Sequence, residues 1–222
     1  EIFEQTIKSN IKRKSVFVDA PQMRDGIPLF SWIDTNPTEL CNRKCTFCPR
    51  VDETIYPNQN LNMSPELTDK MARELREYNY QGAVIFSGYG EPLLHPKFVD
   101  LVSSFGTDIH TELVTNGDKL NKQYIKELFD AGLDVLLISM YDGPHQIDYF
   151  KEMFDSVGIM ENQYVLRDRW YSIDEDYGLK LTNRAGLAAD GNQEKVDTNK
   201  PCYYTHYSMM VDWNGDVMLC VQ

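Results

Sequence analysis

Two periodicities alternate along the chain. Short, unbroken apolar runs recur from residue 30 onward, separated by segments whose apolar residues return every three or four positions. Phe30 to Thr35, Ala83 to Ser87, Thr111 to Thr115, Val135 to Ser139 and Gln163 to Arg167 read as strands, and Leu179 to Thr182 as a sixth. Leu67, Met71, Leu75 and Tyr78 share one helical face. They follow Ser64-Pro65-Glu66, where a capping hydroxyl, a first-turn proline and an acid at the positive dipole end mark a helix start. His95-Pro96 opens a second helix carrying Phe98, Leu101, Val102 and Phe105 and closed by Gly106. Leu120, Tyr124, Leu128 and Ala131 form a third face ending at Gly132, and Ile147, Phe150, Phe154 and Val157 a fourth ending at Gly158.

Strands apolar throughout and alternating with helices predict a parallel sheet covered by helices. The expected fold class is therefore α/β, a partial (β/α)6 TIM-like barrel over residues 30–187 with a small C-terminal β-hairpin unit. Residues 1–29 are weakly patterned and read as an N-terminal extension lying on the core, with Lys12-Arg13-Lys14 as a solvated face. From residue 188 the chain turns polar. Two short runs, Met210 to Trp213 and Asp216 to Leu219, then flank Asn214-Gly215, a strong hairpin signal. Residues 188–222 are expected to begin a second unit.

The turns that end these strands carry the chemistry. Cys41, Cys45 and Cys48 follow the first strand at C-x3-C-x2-C spacing, and Gly88-Tyr89-Gly90-Glu91-Pro92 follows the second. Asn116-Gly117 and Ser139 end the next two. In sheets of this kind the strands' carboxyl ends form the active face, so one face collects all four. Thiolates are soft ligands for zinc or iron–sulfur clusters, and three cysteines alone fit either. A four-iron cluster takes four protein thiolates as a rule, so three leave one iron open to another ligand.

Composition narrows the classes. The formal charge is −12, which disfavours a nucleic-acid partner. No run of eighteen apolar residues occurs, so no membrane partner is expected. Glu1-Ile2-Phe3-Glu4 lacks the basic and apolar regions of a signal peptide, and a reducing, cytoplasmic setting is expected. His95, His110, His145 and His206 show no paired metal spacing. Asp34, Glu39 and Asp142 read as turn and strand-edge residues, and Arg43, Lys44 and Arg50 as solvated charges.

The three-cysteine loop and the Gly-Tyr-Gly-Glu-Pro turn, in this order and each after a strand, resemble the radical S-adenosylmethionine (SAM) superfamily. Asn116-Gly117, Ser139 and the Cys202-x12-Gly215-x4-Cys220 segment resemble its branch with a SPASM/twitch-type C-terminal extension. The resemblance implies a [4Fe–4S] cluster on Cys41, Cys45 and Cys48, with SAM on the open iron. It implies that Phe47, Gly88, Gly90, Glu91, Pro92, Asn116, Ser139 and Arg167 contact SAM, and that Tyr89 and Arg184 serve the reaction. Glu91 is read here as a turn carboxylate whose loss weakens SAM binding far more than stability. Cys202 and Cys220 would begin a second [4Fe–4S] cluster. Two cysteines where such a cluster wants four imply that the chain is part of a longer one.

The function implied is oxidation of a small polyol, aminocyclitol or sugar-like molecule through a SAM-derived radical, with flavodoxin or ferredoxin as external one-electron reductant. Two alternatives remain beside it: a peptide-modifying maturase, and a zinc-stabilised interaction module without catalysis.

Overall fold

A computed structural model describes residues 12–170 and 201–219. A helix over residues 12–18 (α1) leads into a two-residue hairpin, β1 (Met23–Arg24) and β2 (Ile27–Pro28). Its turn is Asp25-Gly26, with both residues at positive φ (51° and 79°), as the right-handed twist of a tight hairpin requires.

The body of the chain is a repeated strand–helix unit. β3 (Trp32–Thr35), α2 (Pro65–Glu77), β4 (Ala83–Phe86), α3 (Phe98–Phe105), β5 (His110–Thr115), α4 (Lys122–Asp130), β6 (Val135–Met140), α5 (Gln146–Val157) and β7 (Tyr164–Asp168) follow in order. The start of α2 is as expected: Ser64 Oγ accepts from the Leu67 N–H at 3.3 Å, and Pro65 fills the first position. Asn121 Oδ1 caps α4 through the Tyr124 N–H at 2.9 Å. α3 begins at Phe98 rather than at His95-Pro96, because a 3-10 turn, Pro92–Leu94, intervenes.

The main sheet runs β7-β6-β5-β4-β3-β8-β9. The five strands β3 to β7 are parallel to their neighbours, which gives the α/β partial-barrel architecture. After α6 (Tyr204–Tyr207), β8 (Ser208–Val211) lies parallel to β3, pairing Asp34 with Met210, and β9 (Val217–Met218) folds back antiparallel. The hairpin thus forms at Asn214-Gly215. It extends the barrel sheet beside β3, with Met210 and Val211 buried. Leu179 to Thr182 lies outside the described residues, and β8 occupies the sixth parallel position.

Alternation along each strand sorts side chains onto two faces. Ile33, Val84, Phe86, Leu113, Leu136 and Ile138 face the helices and pack with Ala72, Phe98, Leu101, Phe105, Leu128 and Phe154 in one continuous core. Trp32, Ala83 and Ile85 face the other way and meet Phe17 and Val18 of α1. The N-terminal helix therefore covers the concave face of the sheet. Its basic run is not a solvated face: Arg13 pairs with Glu112 of β5, and Lys14 is half-buried with its Nζ 4.4 Å above the Trp32 ring. Only Lys12 of the three is exposed.

Among the described residues no helix is long and apolar enough to cross a membrane.

Candidate active site

The cysteine loop leaves β3 through Asn36 to Leu40 and is pinned at each end. The Cys41 N–H donates to Asn58 Oδ1 at 2.9 Å, and Asn58 Nδ2 donates back to the Cys41 carbonyl at 3.2 Å. Cys48 N–H donates to the Cys45 carbonyl at 2.9 Å, and Pro49–Val51 forms a 3-10 turn. Cys45 is buried, and Cys41 and Cys48 are half-buried; none of them, nor Cys202, is in a disulfide. Burial pushes the Cys41 thiol up to about 11, so ligation of a metal there must displace a proton.

The two arginines of this loop are structural, which corrects their reading as solvated charges. Arg43 reaches across two strand ends, with Nε on Asp118 at 2.7 Å and Nη1 on Asp142 at 2.6 Å. The Arg43 guanidinium holds the Asp142 carboxyl below its ordinary range. Arg50 is 3% exposed; it donates to Glu39 at 3.0 Å and to the Tyr89 carbonyl at 2.5 Å. Glu39 also accepts from Asn36 at 2.7 Å and from the Tyr56 hydroxyl at 3.0 Å. Asp142 and Glu39 are thus ion-pair partners rather than plain turn residues. Lys44 stays at the surface with Glu53.

The Gly88–Pro92 turn lies against this loop. The Glu91 N–H donates to the Leu40 carbonyl at 2.7 Å. Gly90 packs on the same segment so closely that a Cβ would stand 1.8 Å from the Thr38 carbonyl oxygen. Gly88, at φ 121°, occupies a backbone region that favours glycine. Glu91 is not an exposed turn carboxylate. It is 3% exposed and accepts from the Leu93 N–H at 3.1 Å, the Thr115 hydroxyl at 2.5 Å and the Asn116 N–H at 2.8 Å. Burial lifts its carboxyl to about 7 against those three donors. Pro92 is buried beneath the turn and starts the 3-10 helix. Asn116 extends the bracket, its Nδ2 donating to Asn42 of the cysteine loop at 2.9 Å.

These loops border one cavity of about 710 Å³, within the range of about 300–1,000 Å³ usual for small-molecule sites. Cys41, Cys45 and Cys48 all line it, as do Phe47, Gly88, Tyr89, Gly90, Glu91 and Asn116. Ser139 and Arg167, paired across β6 and β7, line a further wall. Phe47 sits 5.8 Å from the Tyr141 ring, and Tyr89 makes an edge contact with Tyr56 at 4.9 Å. Arg184 and Cys220 lie outside the described residues, and Cys202 is exposed before α6. Among the described residues no three His, Cys, Asp or Glu side chains gather tightly enough for a single ion. Three thiols beside a cavity of this size suit a cluster and a bound small molecule.

The cavity continues down the concave face to residues the sequence reading missed. Lys14, Trp32 and Asp34 line it there, between Ile85, Val114 and Leu137. Asp34 is 7% exposed and faces inward on β3, so it is not a strand-edge residue. Ser87 donates to its Oδ1 at 3.1 Å, and burial raises the carboxyl to about 6. An acid raised in this way holds more protons folded than unfolded between pH of about 4 and 6. Stability therefore falls as pH rises through that window and stays lower above it. Asp34→Asn is expected to be more stable than the parent at pH 8, by up to about 2 kcal/mol, and no more stable at pH 4. Thermal melts at the two pH values check this. Equal melting at pH 8 would contradict it.

The radical SAM superfamily model matches residues 35–155, more than half of the chain. Over 197 residues the chain is 25% identical to the S-adenosyl-L-methionine-dependent 2-deoxy-scyllo-inosamine dehydrogenase of Niallia circulans, covering 87% of this chain and 74% of that protein. It is 31% identical to the GTP 3′,8-cyclase of Chlorobaculum tepidum over 105 residues, 46% of this chain and 30% of that one. A crystal structure of BtrN in complex with AdoMet and 2-DOIA superposes with a TM-score of 0.69 at 24% identity, over 88% of this chain and 74% of that one, a likeness of fold. With the cysteine loop, the Gly-Glu-Pro turn and Ser139 all inside or bordering the matched span and on one cavity, the chain belongs to the radical SAM superfamily.

Proposed function

We propose that Cys41, Cys45 and Cys48 bind three irons of a [4Fe–4S] cluster, and that the enzyme oxidises a small hydroxyl-bearing molecule of the aminocyclitol kind. The observation that carries this reading is the single cavity bordered by the three cysteines, the Gly88–Glu91 turn and the inner faces of β5 to β7. Similarity to the Niallia circulans dehydrogenase over 87% of the chain supports the substrate class. Bound there, the cluster and SAM would together supply a one-electron route to a carbon radical able to take a hydrogen atom from the substrate.

The chain's own residues position these groups. Phe47, near Tyr141, offers an aromatic face for the adenine, and Ser139 offers a hydroxyl for the ribose. Gly88 and Gly90 let the backbone approach the methionyl group closely. Arg167 lines the same cavity, and its guanidinium would hold a carboxylate there. Glu91 acts through geometry: its bonds from Thr115 and Asn116 hold the turn against β5, its bond from the Leu93 N–H closes the turn, and Asn116 ties β5 to the cysteine loop. Tyr89 lines the chamber beside Tyr56.

Loss of a hydrogen atom beside a hydroxyl leaves a carbon radical, which becomes a ketone on losing one proton and one electron. We assign the electron to a second iron–sulfur cluster, for which Cys202 and Cys220 are the candidate ligands. The priming electron comes from a flavodoxin or ferredoxin. Such oxygen-sensitive chemistry belongs in a reducing compartment, the cytoplasm.

The test is anaerobic reconstitution with iron and sulfide, followed by SAM, dithionite and 2-deoxy-scyllo-inosamine. The expected result is 5′-deoxyadenosine accompanied by an equal amount of ketone. 5′-Deoxyadenosine with no ketone from any cyclitol would overturn the substrate class while keeping the radical chemistry.

A further inference from the structure

At the floor of the cavity, polar groups meet without satisfying one another. Asp34 Oδ2 is buried and makes no hydrogen bond. The Trp32 indole N–H lies beside the same carboxylate and eases its burial, without closing a hydrogen bond of ordinary geometry. Lys14 of α1 stands above the Trp32 ring, near enough for its charge and that of Asp34 to influence each other, yet no ion pair closes between them. Of the neighbouring charges, Glu112 is taken by Arg13 and His110, and Arg167 on the cavity wall adds a like charge that acts on Lys14. Buried polar atoms are nearly always paired in native proteins, so this grouping marks the place of an absent partner. The walls around it, Val18, Ile85, Val114 and Leu137, are apolar.

Resting on the function proposed above, we infer that Asp34 and Lys14 form a substrate subsite that grips one hydroxyl group of a neutral polyol face, Asp34 accepting from its O–H and Lys14 donating to its oxygen. Only a group that both donates and accepts satisfies a carboxylate and an ammonium at once. An ammonium substituent would answer Asp34 but repel Lys14, and a carboxylate the reverse. A ring hydroxyl fits, and its ring carbons fit the apolar walls. Burial lowers the Lys14 ammonium from its ordinary range, consistent with a cation held in a nearly dry chamber. Lys14 lies outside the span matched by the family model, so the subsite is brought by α1 to a barrel it closes. The part of the substrate nearest the cysteines is then the opposite edge of the ring. Asp34 and Lys14 are binding residues and take no part in the hydrogen transfer.

The experiment measures equilibrium binding of scyllo-inositol and 2-deoxy-scyllo-inosamine to the reconstituted, SAM-loaded protein, for the parent, Asp34→Asn, Lys14→Met and the double variant. Iron content and thermal melting are recorded for each. At least one cyclitol is expected to bind the parent. Each single variant should weaken it tenfold or more, and the double variant little further, because both groups hold the same hydroxyl. Asp34→Asn should do so while melting no lower than the parent at pH 8, an outcome that a merely structural aspartate would not give. Affinity within twofold of the parent in either single variant overturns the subsite, as do fully additive losses. So does the absence of cyclitol binding to a parent that forms 5′-deoxyadenosine. A parent that forms none overturns the radical chemistry instead.

Discussion

Glu91→Ala is expected to lower folding stability by about 3–5 kcal/mol and to abolish SAM binding with it. The Leu93 N–H, the Thr115 hydroxyl and the Asn116 N–H all donate to this carboxylate in a buried setting. Each buried donor left unsatisfied costs about 1–3 kcal/mol, and the rotatable Thr115 hydroxyl recovers part of its share. The Thr115 and Asn116 bonds join the Gly88–Pro92 turn to the end of β5, and through Asn116 to the cysteine loop, while the Leu93 bond closes the turn on itself. Losing them loosens two walls of the cavity together. Urea unfolding at pH 8 checks the stability. A midpoint unchanged from the parent would mean that the carboxylate is dispensable to the fold.

Gly90→Ala is expected to be at least as damaging, by an opposite route. The added methyl would meet the Thr38 carbonyl oxygen at 1.8 Å and the Leu40 carbonyl oxygen at 3.2 Å, both backbone atoms. No side-chain rotation relieves such a contact, so the turn must lift away from the cysteine loop. Overpacking of this severity costs about 3 kcal/mol or more. The Glu91 N–H to Leu40 carbonyl bond would break as well. A reconstituted Gly90→Ala chain that bound SAM with parental affinity would contradict the geometry given for this turn.

The strand–helix alternation was legible because parallel strands buried on both faces read as continuous apolar runs, and their helices as a 3.6-residue stripe. The cap at Ser64, the Gly158 terminator at φ 78° and the Asn214-Gly215 hairpin were equally plain, since each follows from local chemistry. Long-range placement was not. Nothing within Ser208–Val211 says that it pairs with β3, and nothing within Lys12-Arg13-Lys14 says that two of its charges turn inward. Asp25-Gly26 is itself a local hairpin signal, set among residues 1–29 whose patterning is otherwise weak.

The site divides in the same way. Motif residues close in sequence, Cys41 to Cys48 and Gly88 to Glu91, meet at one cavity because each group ends a neighbouring parallel strand. What could not be read is how charges pair across loops. Arg43 finds Asp118 and Asp142 on two other strand ends, and Arg50 finds Glu39 and the Tyr89 carbonyl. Asn36 shows the same limit: its Nδ2 bonds both Glu39 and Asp212, 176 residues away, joining the cysteine loop to the C-terminal hairpin. Asp34 carried one usable signal, a carboxylate in the middle of an apolar strand, flanked by Ile33 and Thr35. An acid at such a position is costly to bury and calls for a reason.

The most direct measurement compares iron and 5′-deoxyadenosine in the parent and in the Cys41→Ala, Cys45→Ala, Cys48→Ala triple variant, both reconstituted anaerobically and supplied with SAM and dithionite. The triple variant should hold about four irons fewer per chain and form no 5′-deoxyadenosine. Equal iron in the two proteins, or undiminished SAM cleavage by the variant, would contradict the assignment of these cysteines to the reactive cluster.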